Sequence, residues 1–228
     1  MTTRILDSGY IELVDTWGSD ERIIEAARMS NGKGFIGWGT PEKGGDEKLL
    51  AYLWKHRHTT PFEQCGFSIE VQAPLVVFRE WHRHRTQSYN EFSARYAQMP
   101  NVHYIPTIDR LKLGGGANKQ AQGMAPLASD TELKLWLAEL SLLQDDIYKH
   151  YEKGLALGIP KEVARLNTPV SRYSRMVASA NLLNWLRFLE LRMAPDAQWE
   201  IRQYANEIGK IVEERFPRTW ALFREGKV

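Results

Sequence analysis

Phe67-Ser68-Ile69-Glu70-Val71 alternates apolar and polar side chains, and Pro74 separates it from the apolar run Leu75-Val76-Val77-Phe78. A period of two puts every second side chain on the same face, as in a strand with one buried side. Proline cannot donate to a ladder, so Pro74 predicts a break between two buried strand segments. Immediately afterwards comes the densest polar cluster of the chain, Trp81-His82-Arg83-His84-Arg85-Thr86-Gln87-Ser88-Tyr89-Asn90-Glu91-Phe92-Ser93-Ala94-Arg95-Tyr96. If the extended geometry continues into it, Arg83 and Arg85 share one face and His82 and His84 the other. Two guanidiniums at the end of a core strand form a fork suited to an anion, because their planar donors match phosphate or carboxylate oxygens in pairs. Ser88, Asn90, Ser93 and Arg95 add donors, and Glu91 is an acceptor able to hold a sugar hydroxyl or orient an arginine. The alternative for such a tripeptide is a solvated, charged strand end with internal ion pairs.

Helical spacing marks the elements that would cover the strands. A helix is expected over residues 20–30, with Ile23, Ile24, Ala27 and Arg28 defining mixed faces, and a glycine-rich loop over 31–45. A second helix over 46–55 carries Leu49, Leu50, Leu53 and Trp54 at helical spacing. Residues 111–129 contain Gly114-Gly115-Gly116 and Gly123, and read as a mobile loop or lid. Beyond it, Leu133, Trp136, Leu137, Leu140, Leu143, Ile147 and Tyr151 form an amphipathic stripe. Pro160 suits the first turn of a further helix, and later helices are expected over 180–192 and 197–216. Strands early and helices late predict one α+β domain over residues 1–228.

The 228 residues are 43% hydrophobic with a formal net charge of only +2, enough for one sizeable core and too balanced for a general nucleic-acid binder. No run approaches the length of a membrane span, and Met1 to Asp7 lacks a signal-peptide core, so a cytoplasmic location is expected. Cys65 is the only cysteine, which excludes an intramolecular disulfide and a multi-cysteine metal site. Its surroundings, Phe62-Glu63-Gln64-Cys65-Gly66, favour a buried, inert thiol over a nucleophile. The two histidines His56 and His58, with Glu63 nearby, lack the further ligand at suitable spacing that a metal site needs, and no metal is expected.

Arg83-His84-Arg85, followed after seven residues by Ser93, resembles the signature of flavin-dependent thymidylate synthases, with Asn90, Glu91 and Arg95 matching its extended form. The resemblance continues in His56-Arg57-His58-Thr59-Thr60-Pro61-Phe62-Glu63, in Gly158-Ile159-Pro160-Lys161-Glu162-Val163-Ala164-Arg165, and in Leu191-Arg192 with Ala197-Gln198-Trp199-Glu200-Ile201. It implies a mainly antiparallel sheet flanked by helices, and reductive methylation of dUMP to dTMP. The implied electron carrier is FAD reduced by NADPH, and the implied carbon donor is methylenetetrahydrofolate. By resemblance, Arg192 is the catalytic arginine that stabilises negative charge at pyrimidine N3. Arg83, Glu91, Phe92, Ser93, Ala94, Arg95, Arg165 and Arg192 are the expected dUMP ligands. Ser30, His58, Thr60, Glu63, Arg83, His84, Arg85, Glu91, Asn181 and Arg187 are the expected FAD ligands. A homotetramer with active sites shared between subunits is also implied. The chain departs from the family pattern at Glu80, where several relatives have glutamine, at Leu183 and Arg187, and at Asp196.

Two other functions compete. In a nucleic-acid-binding module, residues 82–95 would contact phosphates while Tyr89 or Tyr96 stacks on bases. In a different flavoprotein, the same arginine fork would serve another phosphorylated substrate.

Overall fold

The computed structural model describes residues 2–39, 45–113 and 128–226. Strands β1 (Thr2–Ile5), β2 (Gly9–Trp17), β3 (Gly66–Pro74), β4 (Ser88–Glu91) and β5 (Tyr173–Asn181) form one sheet in the order β1-β2-β3-β5-β4. Every neighbouring pair is antiparallel. The expected strand at 67–71 lies inside β3, where Phe67, Ile69, Val71 and Ala73 are buried as the alternation requires. That face carries the core. Trp185 stacks on Phe67 at 4.7 Å and donates its indole N–H to the Phe67 carbonyl at 3.0 Å. The buried aromatic therefore also satisfies its one polar atom.

The run Leu75-Val76-Val77-Phe78 is not a strand. It opens helix α3 (Leu75–Trp81), with Pro74 in extended conformation at its N-cap. Proline ends the ladder and its fixed φ suits a helix start, while Val77, Phe78 and Trp81 bury themselves at helical spacing. The extended geometry expected for residues 82–85 ends here too, and so does the division of arginines and histidines between two faces.

Helices α1 (Asp20–Arg28) and α2 (Asp46–Lys55) occupy the expected positions, although Met29–Asn31 tightens into a 3₁₀ turn. Helix α4 (Ile108–Lys112) takes in Leu111 and Lys112, the first residues of the expected 111–129 loop, whose remainder lies mostly outside the described residues together with its glycines. Helix α5 (Asp130–Ala156) starts at a capping box between Ser129 and Glu132. Its stripe is largely unburied: Leu133 and Tyr151 pack inward, but Trp136 is 50% and Leu143 62% exposed. Pro160 caps the short helix α6 (Lys161–Ala164). The helix expected from 180 begins only at α7 (Leu182–Arg192), because Asn181 still belongs to β5 and caps α7 by accepting the Asn184 N–H at 3.0 Å. Helices α8 (Trp199–Arg215) and α9 (Pro217–Glu225) complete the cover. Asp20, 2% exposed, ties α1 to α9 by accepting from Thr219 Oγ1 at 2.6 Å and from the Arg218 N–H at 2.8 Å. No helix among the described residues is long and apolar enough to cross a membrane.

Candidate active site

The polar segment after Trp81 folds back between α3 and the edge strand β4. The His84 N–H bonds the Trp81 carbonyl at 3.0 Å and the Gln87 N–H bonds the His84 carbonyl at 3.3 Å. Two contacts pin this turn: Trp81 Nε1 donates to Gln87 Oε1 at 3.0 Å in the interior, and the half-buried Tyr89 hydroxyl donates to the His84 carbonyl at 2.7 Å. His82, Arg83 and Arg85 consequently face solvent, whereas His84 turns inward against Phe188. Neither Arg83 nor Arg85 is ion-paired among the described residues, so the alternative reading keeps its solvated placement but not its internal ion pairs.

His84 meets Arg192, the last residue of α7. The arginine Nε donates to His84 Nε2 at 2.9 Å, Nη1 to Glu80 Oε2 at 2.8 Å, and Nη2 to the Glu80 carbonyl at 2.8 Å. Burial, reinforced by the adjacent guanidinium, lowers the His84 pKa to about 4, so the imidazole is neutral at physiological pH.

A second group of expected residues surrounds a cavity of 340 Å³, where Glu91, Phe92, Ala94 and Arg165 meet. Glu91 accepts from Ser174 Oγ at 2.7 Å, and the Phe92 N–H bonds the Arg175 carbonyl at 2.8 Å, which fixes both at the end of β4. Ser93 accepts from the Arg95 N–H through Oγ and opens a tight turn through its carbonyl, and among the described residues no carboxylate or imidazole bonds its hydroxyl as the base of a nucleophile would. Arg95 reaches Glu162 of α6 at 2.8 Å, and Glu162 lines the same cavity.

A third group borders a cleft of 790 Å³ between α2, α7 and α9, lined by His58, Arg57, Arg187, Trp54, Phe62 and Leu186 among others. An apolar floor with imidazole and guanidinium groups at its edge has the donor set for a planar ring system carrying phosphates, so these residues fit a flavin nucleotide. The loop entering the cleft is strained: Arg57 holds φ at 55°, closing the end of α2 by an N–H bond to the Trp54 carbonyl, while the His58 N–H bonds that of Leu53. Thr60 and Glu63 lie on the following 3₁₀ turn with their side chains exposed. Ser30 is exposed and bonds the Ala27 carbonyl, Asn181 is engaged in capping α7, and Arg187 donates to Asn184 Oδ1 at 3.3 Å. The two cavities share no lining residue, and His84 and Arg192 line neither.

Sequence reasoning did not assign Ser174, Thr168, Arg172 and Tyr173, which line the smaller cavity. They sit at or before the start of β5, whose signal is weak because its buried positions include the small residues Ala178 and Ala180. Cys65 is fully buried, with its thiol on the Ser19 carbonyl, and burial pushes its pKa up to about 11.

The family described as "Thymidylate synthase complementing protein" matches residues 12–218. A flavin-dependent thymidylate synthase of Thermus thermophilus is 42% identical over 225 residues, covering 99% of this chain and 79% of the relative. One from Anaplasma marginale is 40% identical, covering 97% and 74%. Among solved structures, the UMP/dUMP methylase PolB from Streptomyces cacaoi, bound with 5-Br dUMP, superposes with a TM-score of 0.86 at 29% identity, covering 99% of both chains.

Proposed function

We propose that this chain, which belongs to the flavin-dependent thymidylate synthase family, methylates dUMP at C5 to give dTMP. The observation that carries this reading is Arg192, 15% exposed and held beside a neutral His84 at the turn that bears Arg83 and Arg85. FAD supplies the electrons when bound, with NADPH as its reductant and methylenetetrahydrofolate as carbon donor.

The chain's own part is to bind, orient and stabilise charge. Methylating C5 requires electron density at that carbon, and the chain has no thiolate to create it by addition at C6, since the Cys65 thiol is buried and protonated. Arg192 instead stabilises negative charge at N3 and the neighbouring carbonyls as it develops. Arg83, Arg95 and Arg165 neutralise the nucleotide phosphate, Arg95 through the donors that its bond to Glu162 leaves free. Glu91, Phe92, Ser93 and Ala94 border the nucleotide, with Glu91 and Ser93 positioning it. His58, Thr60, Glu63, Arg85 and Arg187, with Ser30, His84, Arg83, Glu91 and Asn181, hold the flavin.

We also propose a homotetramer whose active sites draw on more than one subunit. The expected ligands fall into separate groups within one chain, and α5 presents Leu135, Trp136, Leu142 and Leu143 to solvent, each at least 50% exposed. A row of large apolar side chains on one long helix is the kind of surface that another subunit covers. A cytoplasmic location accords with this metabolic role.

Product analysis tests the reaction. Flavin-loaded protein incubated with methylenetetrahydrofolate and NADPH should convert dUMP to dTMP, and UMP should be assayed beside it because PolB is a UMP/dUMP methylase. Conversion of neither nucleotide by folded, flavin-loaded protein would favour a flavoprotein acting on another phosphorylated substrate. Steeply salt-dependent binding to oligonucleotides would favour a nucleic-acid module.

A further inference from the structure

We infer that Glu80 is a positioning residue that fixes the orientation of the Arg192 guanidinium for the reaction; this rests on the reading of Arg192 as the group facing the pyrimidine. Arginine carries five N–H donors and no acceptor. Three are consumed here: one by the Glu80 carboxylate, one by the Glu80 main-chain carbonyl, and one by His84. Two remain for a substrate.

The main-chain part of this arrangement follows from how α3 ends. In a continuing helix the Glu80 carbonyl would accept from the N–H of residue 84, but the His84 N–H bonds the Trp81 carbonyl instead. The orphaned carbonyl takes Arg192 Nη2, as a cation at a helix C-terminus should. The side-chain part is not required for helix termination. Glu80 reaches back along the same guanidinium with Oε2, while its other carboxylate oxygen has no hydrogen-bond partner among the described residues. One residue thus grips two corners of the guanidinium, and His84 holds the third.

Such a grip matters because a long arginine side chain otherwise samples many rotamers, and a displaced guanidinium loses transition-state stabilisation without losing nucleotide affinity. The phosphate is anchored elsewhere in the proposed site, by Arg83, Arg95 and Arg165. Loss of the grip should therefore appear in kcat rather than in KM for dUMP. Glutamine retains a side-chain oxygen acceptor at almost the same place, so it should preserve the orientation.

The test compares Glu80→Ala and Glu80→Gln in flavin-loaded protein, with rates expressed per bound flavin. Glu80→Ala should lower kcat by roughly 10-fold or more while KM for dUMP stays within about 3-fold, and Glu80→Gln should restore kcat to within about 3-fold. Imidazole ¹⁵N spectra of histidine-labelled protein give a readout independent of turnover. The His84 signal should report an accepting Nε2 in the wild type and in Glu80→Gln, and change in Glu80→Ala. If Glu80→Ala does not accumulate, Glu80→Leu, of similar bulk without an acceptor, takes its place. An unchanged kcat per flavin overturns the inference. A fall in KM after removal of the carboxylate also does, since Glu80 would then be an occupant that dUMP must displace. Wild-type protein that makes no dTMP counts against the assigned reaction rather than against Glu80. In that case an unchanged His84 signal in Glu80→Ala overturns the positioning role on its own.

Discussion

Arg192 Nε lies 2.9 Å from His84 Nε2, and because a guanidinium only donates, the imidazole must accept. His84 is therefore neutral, with its proton on Nδ1. The bond joins the end of α7 to the turn after α3, two segments 108 residues apart in sequence.

The histidine pair His84 and His103 predicts how stability depends on pH. Burial, with Arg192 beside one and Arg172 beside the other, lowers each pKa from 6.5 to about 4. Between those values the unfolded chain binds protons that the folded chain does not, so stability rises with pH across this window. The contribution is complete above pH 6.5 and lost as pH falls toward 4. Melting temperature should drop between pH 7 and 4.5, and His84→Gln and His103→Gln should each flatten part of that slope, by on the order of 1 kcal/mol apiece once solvent screening of these half-buried groups is discounted. An unaltered slope in the double variant would contradict the neutral assignments.

Arg192→Ala should fold, retain FAD, and lose methylation by roughly 10²- to 10³-fold in kcat, the scale for a preorganised donor removed from a developing anion. Flavin absorbance and melting curves establish the first two points and dTMP formation the third. Retained turnover would remove Arg192 from the chemistry.

Arg165→Ala and Arg95→Ala should act on binding instead. Each removes a phosphate partner, and KM for dUMP should rise at least roughly 10-fold, with a smaller change in kcat. Because Arg95 already shares its charge with Glu162, its variant should show the smaller effect of the two. A fall in kcat at unchanged KM would place these arginines at the reacting end of the nucleotide.

Cys65→Ala tests the thiol. The side chain is fully buried under Gly18 and Ser19, so truncation should cost on the order of 1 kcal/mol through lost packing. Turnover per flavin should be unchanged. Loss of activity in folded, flavin-loaded Cys65→Ala would reinstate a thiolate route.

How much of this was legible in the sequence depended on the range of the interactions involved. The strand at Phe67–Val71 and the helices beginning at Asp20 and Asp46 are set by local periodicity, and they stand where expected. Leu75–Phe78 misled because four consecutive apolar residues fit a buried strand or a buried helix equally well, and Pro74 can end one or cap the other. β5 was hidden because its buried alternation runs through small residues and it pairs with β3 about 110 residues away. The motif singles out the arginine-rich segment, but neither its turn nor the inward rotation of His84 is written there. That rotation depends on the helical end of α3 and on Arg192, far along the chain. The Glu80 contact likewise required the fold: its sequence marks only a carboxylate before a tryptophan, with nothing local to name an arginine 112 residues on.

The central claim is best tested by tritium release from C5-labelled dUMP, with FAD, NADPH and methylenetetrahydrofolate present together and each omitted in turn. The account predicts release that requires both FAD and NADPH and yields dTMP. Release without flavin, abolished in Cys65→Ala, would contradict it.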